Sequence, residues 1–170
     1  MKKGKKTAFC GMFLALALVA GYIEQILPIT LGIPGVKLGL ANIVTMVLLY
    51  TVGLRTTVGI TFVRILLAGL LFGTGFSIVY SAAGAALSLF VMVILKHTKK
   101  FSYIGVSVAG GVFHNVGQIM VAVFVLETKA LVYYLPILIL SGLVAGIVIG
   151  MLSGLLLQRL SPVIHEMLGK

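Results

Sequence analysis

Pro34-Gly35-Val36-Lys37-Leu38-Gly39-Leu40-Ala41-Asn42-Ile43 sets a turn, a cation, two glycines and an amide between two long apolar runs. Charge and amide in such surroundings cost free energy unless they hold something: another helix, a lipid head group or a solute. What flanks the stretch decides the fold. Apolar runs precede and follow it to the end of the chain, and of 170 residues 61% are hydrophobic and only 9% charged, with a mean hydropathy of +1.24. A soluble globule does not have the polar surface for such a composition. The chain therefore reads as an all-α integral membrane protein, one domain forming a compact bundle of six transmembrane helices. The runs are continuous and lack the period-two alternation of outer-membrane strands.

Outward from the stretch, the expected spans cover about 7–27, 37–52, 56–72, 76–95, 103–126 and 133–157, each near the 20 residues a crossing needs. Pro28 and Pro34 close the first loop, Gly53-Leu54-Arg55 makes a short turn, and Gly73-Thr74-Gly75 breaks the next run. Of the 13 Lys and Arg, ten fall at the N-terminus, the Arg55 turn, the 96–100 loop and the tail, two (Lys37 and Lys129) on the opposite side, and Arg64 inside a span. That asymmetry predicts both termini in the cytoplasm. It also accounts for the net charge of +10 through anionic lipid heads, so no nucleic-acid partner is expected. Cys10 is the only cysteine, which excludes an intrachain disulfide.

Two kinds of helical stripe stand out. Gly142, Gly146, Gly150 and Gly154 form a four-residue ladder on the sixth expected span, where packing within the bundle is the simpler expectation. Ser77, Ser81, Gly84 and Ser88 read as another packing face. On the first span Gly11 and Ala15 suit packing and docking of a partner subunit equally. The polar stripe is on the fifth span, where Ser107, Gly111, His114 and Gln118 follow i, i+4, i+7, i+11 spacing with Asn115 beside them. On the third, Thr57, Thr61, Arg64 and Ala68 share that spacing, and Arg64 lies about 13 Å along the axis from Arg55 at 1.5 Å per residue. Inserting an arginine at such depth costs about 3 kcal/mol, so it must be paired or face a wet cavity. The chain has no Asp, and Glu127 and Glu166 belong to loop and tail, which leaves Glu24 as the intramembrane carboxylate. One account is a structural polar network around Arg64. The other is a solute pocket open to the outside, lined by Glu24, Asn42, Arg64, His114, Asn115 and Gln118, with Lys37 at its mouth. Six separate polar groups on four spans exceed what one arginine needs, which favours the pocket. His114 has no second His or Cys placed to join it, so neither a metal site nor a cofactor is expected.

The segments 34–42, Arg64-Ile65-Leu66 and His114-Asn115-Val116-Gly117-Gln118 resemble the Gx transporter family, often labelled heptaprenyl diphosphate synthase component I, over nearly the whole chain. That family is more remotely similar to the S-components of energy-coupling factor transporters, bacterial six-helix membrane proteins that capture vitamins and related micronutrients. The resemblance implies a multi-pass protein of the bacterial cytoplasmic membrane, a loop at 28–36 gating the pocket, and Gly11 and Ala15 docking onto an energy-coupling module of a transmembrane subunit plus ATPases. The expected function is uptake of a small amphipathic, anionic micronutrient or cofactor precursor. Two alternatives stay open: a non-catalytic membrane component of polyprenyl diphosphate or quinone metabolism, and a proton-coupled carrier using Glu24 and His114. Catalysis of prenyl transfer is not expected, because gripping Mg²⁺ and diphosphate takes clustered carboxylates. Nor does the chain carry a Gly-x-x-x-x-Gly-Lys-Ser/Thr loop for ATP.

Overall fold

The computed structural model describes residues 3–26 and 39–168, and Lys37, the 28–36 loop and Lys170 lie outside them. Six helices follow in order: α1 Lys3–Ile26, α2 Leu40–Thr51, α3 Leu54–Phe72, α4 Gly75–Thr98, α5 Tyr103–Leu126 and α6 Leu135–Leu168, the last preceded by a 3-10 turn at Lys129–Tyr134. No strand occurs among the described residues. Five of the helices are long and apolar enough to cross a membrane. In lipid, a segment that satisfies all its backbone groups internally is the only kind that can do so without forming a barrel.

Two elements differ from expectation. α2 has 12 residues, about 18 Å at 1.5 Å per residue, short of the ~30 Å hydrocarbon core. Its start is fixed by Gly39, whose φ of 75° is left-handed and cannot continue a right-handed helix backwards. α6 runs past the expected exit near 157 to Leu168, through Pro162. Leu157 and Ile164 explain the extension. Seven residues apart, they share a face, and both are buried with Phe9 and Phe13 of α1.

Around the bundle α1, α3, α4, α5 and α6 are neighbours in turn, and α2 packs against α1, α3 and α6. One end is sealed. There Phe9, Phe13, Val47, Leu48, Ile60, Leu157 and Ile164 form one cluster, and Met46, Leu49, Met92 and Val106 another. Lys96 ties that end together: its Nζ donates to the Leu49 carbonyl at 2.6 Å and sits 4.9 Å from the centroid of the Tyr50 ring. The bond satisfies one of the orphan carbonyls in the last turn of α2.

Lipid tails are as apolar as the side chains, so helices in a membrane gain most by close backbone approach. The glycine ladder supplies that approach within the chain. A Cβ on Gly111 of α5 would lie 2.6 Å from the Gly142 carbonyl oxygen of α6. One on Gly146 would lie 2.5 Å from Val108 Cα, and one on Gly150 2.6 Å from Ile104 Cα. The α4 and α5 pair is as tight, since a Cβ on Gly117 would stand 2.8 Å from the Ala83 carbonyl oxygen. Gly11 of α1 has no such neighbour within 4 Å, and both it and Ala15 face outward.

Candidate functional site

The end of the bundle opposite the sealed clusters holds a cavity of about 400 Å³. Its wall is built from the last turns of α1, the first of α2, the C-terminal half of α3, the N-terminal turns of α4 and the middles of α5 and α6. Gly21, Gly39, Gly69, Gly73, Gly111 and Gly142 all line it.

Six of the seven residues singled out for the pocket converge there: Glu24, Asn42, Arg64, His114, Asn115 and Gln118. The seventh, Lys37, lies outside the described residues. Each is held by its element. Glu24, near the end of α1, accepts a hydrogen bond from the Gly39 backbone N–H, so its carboxylate bridges the ends of α1 and α2. Its charge also acts on the Arg64 guanidinium, which lines the same cavity. Arg64 projects from the middle of α3, with its Nε buried and without a hydrogen-bond partner among the described residues. Asn115 serves structure as well as wall, its Nδ2 donating to the Leu138 carbonyl at 2.6 Å and to Ser141 Oγ at 3.4 Å. Gln118 is buried, and Gly84 is glycine because a Cβ there would stand 2.8 Å from Gln118 Cγ and 2.9 Å from the His114 carbonyl oxygen.

Sequence reasoning missed part of the wall. Thr74, Ser77 and Ser81 line the cavity, although Ser77 and Ser81 read as packing and Thr74 as part of a breaker. Thr74 caps α4: its hydroxyl accepts from the Ser77 N–H at 3.3 Å while Ser77 Oγ accepts from the Thr74 N–H at 2.9 Å. The Thr-x-x-Ser spacing ahead of an apolar run was the available signal. Tyr22 and Phe72 were missed too, and they form an aromatic pair on the wall with centroids 5.0 Å apart. No pattern marks them, since aromatics at helix ends are common in any membrane protein.

Below the main cavity a pinhole of about 20 Å³ is lined by Thr45, Thr61, Ser88 and Ser107 and shares Asn42 and His114 with it. Among the described residues no group of three or more His, Cys, Asp and Glu side chains comes together. Among the described residues the cavity is thus a mixed chamber with one cation, one carboxylate, amide and imidazole groups, and an aromatic and aliphatic lining.

Fold and site together define a multi-pass, all-helical membrane protein with a polar chamber inside its bundle. The family model described as heptaprenyl diphosphate synthase component I matches residues 13–156, and the chain belongs to that family. No curated protein and no solved structure matches it.

Proposed function

We propose that the chain is the solute-binding membrane subunit of an uptake system, taking a small amphipathic anion from the outer face of a bacterial cytoplasmic membrane. Arg64 carries the reading. A guanidinium on a cavity wall with a buried, unpartnered Nε among the described residues gains most from a charged oxygen, because charge-assisted hydrogen bonds are about twice as strong as neutral ones. Asn42, His114 and Gln118 supply neutral hydrogen-bonding groups, and Tyr22, Ile65 and Phe72 an apolar side. The volume lies at the lower end of the roughly 300–1,000 Å³ typical of small-molecule sites. Cation placement supports an outward-facing cavity, since the cation-rich loops gather at the sealed end and such loops stay in the cytoplasm.

We infer energy coupling through a separate module of ATPases and a transmembrane subunit from the expected resemblance to S-components. The outward Gly11 and Ala15 of α1 offer that module a smooth surface. On this reading the chain is not itself an enzyme.

The family description names a component of a prenyl diphosphate synthase, and that favours a second reading: a non-catalytic membrane partner of a soluble, Asp-rich prenyl synthase. Co-purification separates the two, because ATPase subunits mark transport and a prenyl synthase marks the accessory role. The direct test of the cavity is a thermal-shift screen on detergent-purified protein. Stabilisation by ring-bearing carboxylates or phosphates is expected, and a response confined to neutral or cationic compounds would overturn the anion reading.

A further inference from the structure

We infer that Glu24 is an internal competitor of the solute: its carboxylate holds the anion position between the Gly39 N–H and Arg64, and a bound anion takes that position by displacing it. This rests on the reading that the cavity takes an anion.

Three observations point the same way. First, Glu24 and Gly39 are 15 residues apart, yet the carboxylate reaches the backbone N–H at the very start of α2. That helix start has no side-chain cap from its own first residue, so its leading amides present a partial positive charge to the cavity. Second, the same carboxylate attracts the Arg64 guanidinium, and both side chains line one chamber. Third, Arg64 keeps a donor unused among the described residues, so the site retains room for more oxygen than Glu24 provides.

A carboxylate or phosphate group from a solute offers the same chemistry as Glu24, namely charged oxygens for an N–H and a guanidinium. Entry is therefore an exchange of one anion for another. The observed affinity is the intrinsic affinity reduced by the fraction of chains in which Glu24 has let go. A side chain that merely contacts the solute would behave in the opposite sense, because its removal would weaken binding.

The experiment titrates the full-length protein in detergent micelles with phenyl phosphate and with benzoate, taking benzyl alcohol as the neutral probe and calorimetry as the readout. Glu24→Gln keeps the shape and the acceptor for Gly39 but removes the charge. We expect it to bind both anions about tenfold tighter than wild type, the scale of one hydrogen bond to a charged group, with benzyl alcohol unchanged. Glu24→Ala shifts affinity in the same direction, and adding Arg64→Ala to either variant cancels the gain. Equal or weaker anion binding by both Glu24 variants, with Arg64→Ala alone still losing affinity, overturns the competition while leaving the anion site intact. If neither wild type nor any variant binds either anion, the anion reading itself fails and the competition with it.

Discussion

At the scale of single residues, Arg64 is where the cavity's chemistry concentrates. Arg64→Ala should weaken binding of an anionic ligand by at least tenfold, since a hydrogen bond to a charged group contributes about 1.5–3 kcal/mol. Arg64→Lys should retain part of the affinity, because an ammonium keeps the charge and loses the planar fork. Lys129→Ala, in the exposed 3-10 turn, should bind as wild type does. Calorimetric titration of the three variants checks the series, and equal affinities would place the anion elsewhere. These polar residues were legible in the sequence for a physical reason: Glu24, Arg64 and His114 are expensive in a bilayer and so conspicuous there. Thr74, Ser77 and Ser81 were not, because a hydroxyl in a membrane helix can satisfy itself on nearby backbone, as Ser77 does on the Thr74 carbonyl at 2.7 Å. Such a residue costs little wherever it points.

Among the elements, the pairing of α5 with α6 depends on glycines that have no substitute. Gly111→Ala would push a methyl onto the Gly142 carbonyl and force the two helices apart, an overpacking cost of about 1–3 kcal/mol. A thermal melt in detergent should show a clear loss of stability for Gly111→Ala and none for Gly11→Ala, whose methyl meets nothing within 4 Å. A Gly11 variant as unstable as the Gly111 variant would show that α1 packs differently. Hydropathy made the helices themselves readable, because any apolar run of sufficient length in lipid must be helical. The ends were harder. The sequence pattern at 158–162, with Gln158, Arg159 and Pro162, looks like an exit from the bilayer, whereas Leu157 and Ile164 carry α6 onward by packing on α1. Long-range contact decided that boundary, and no local signal encodes it.

For the whole molecule, the distribution of cations predicts that the sealed end faces the cytoplasm. Reporters fused after Lys6, Lys99 and Lys170 should all be cytoplasmic, as tested by paired phosphatase and fluorescent fusions. An external signal at any of the three would invert or break the arrangement, and with it the proposal that the cavity faces outward. The fold class followed from composition alone and the polar groups on four spans pointed to a pocket, but the shape of the hollow was not legible, because shape is a property of how lengths fit together. Here the relevant length is that of α2. Five helices are long and apolar enough to cross a bilayer, and α2 falls about 12 Å short by the 1.5 Å rise and the ~30 Å core. Its first residues, Gly39, Ala41 and Asn42, lie on the wall of the chamber. One wall of the chamber thus begins where the left-handed Gly39 starts α2, so the position of a helix start, and not side chains alone, shapes that side of the hollow.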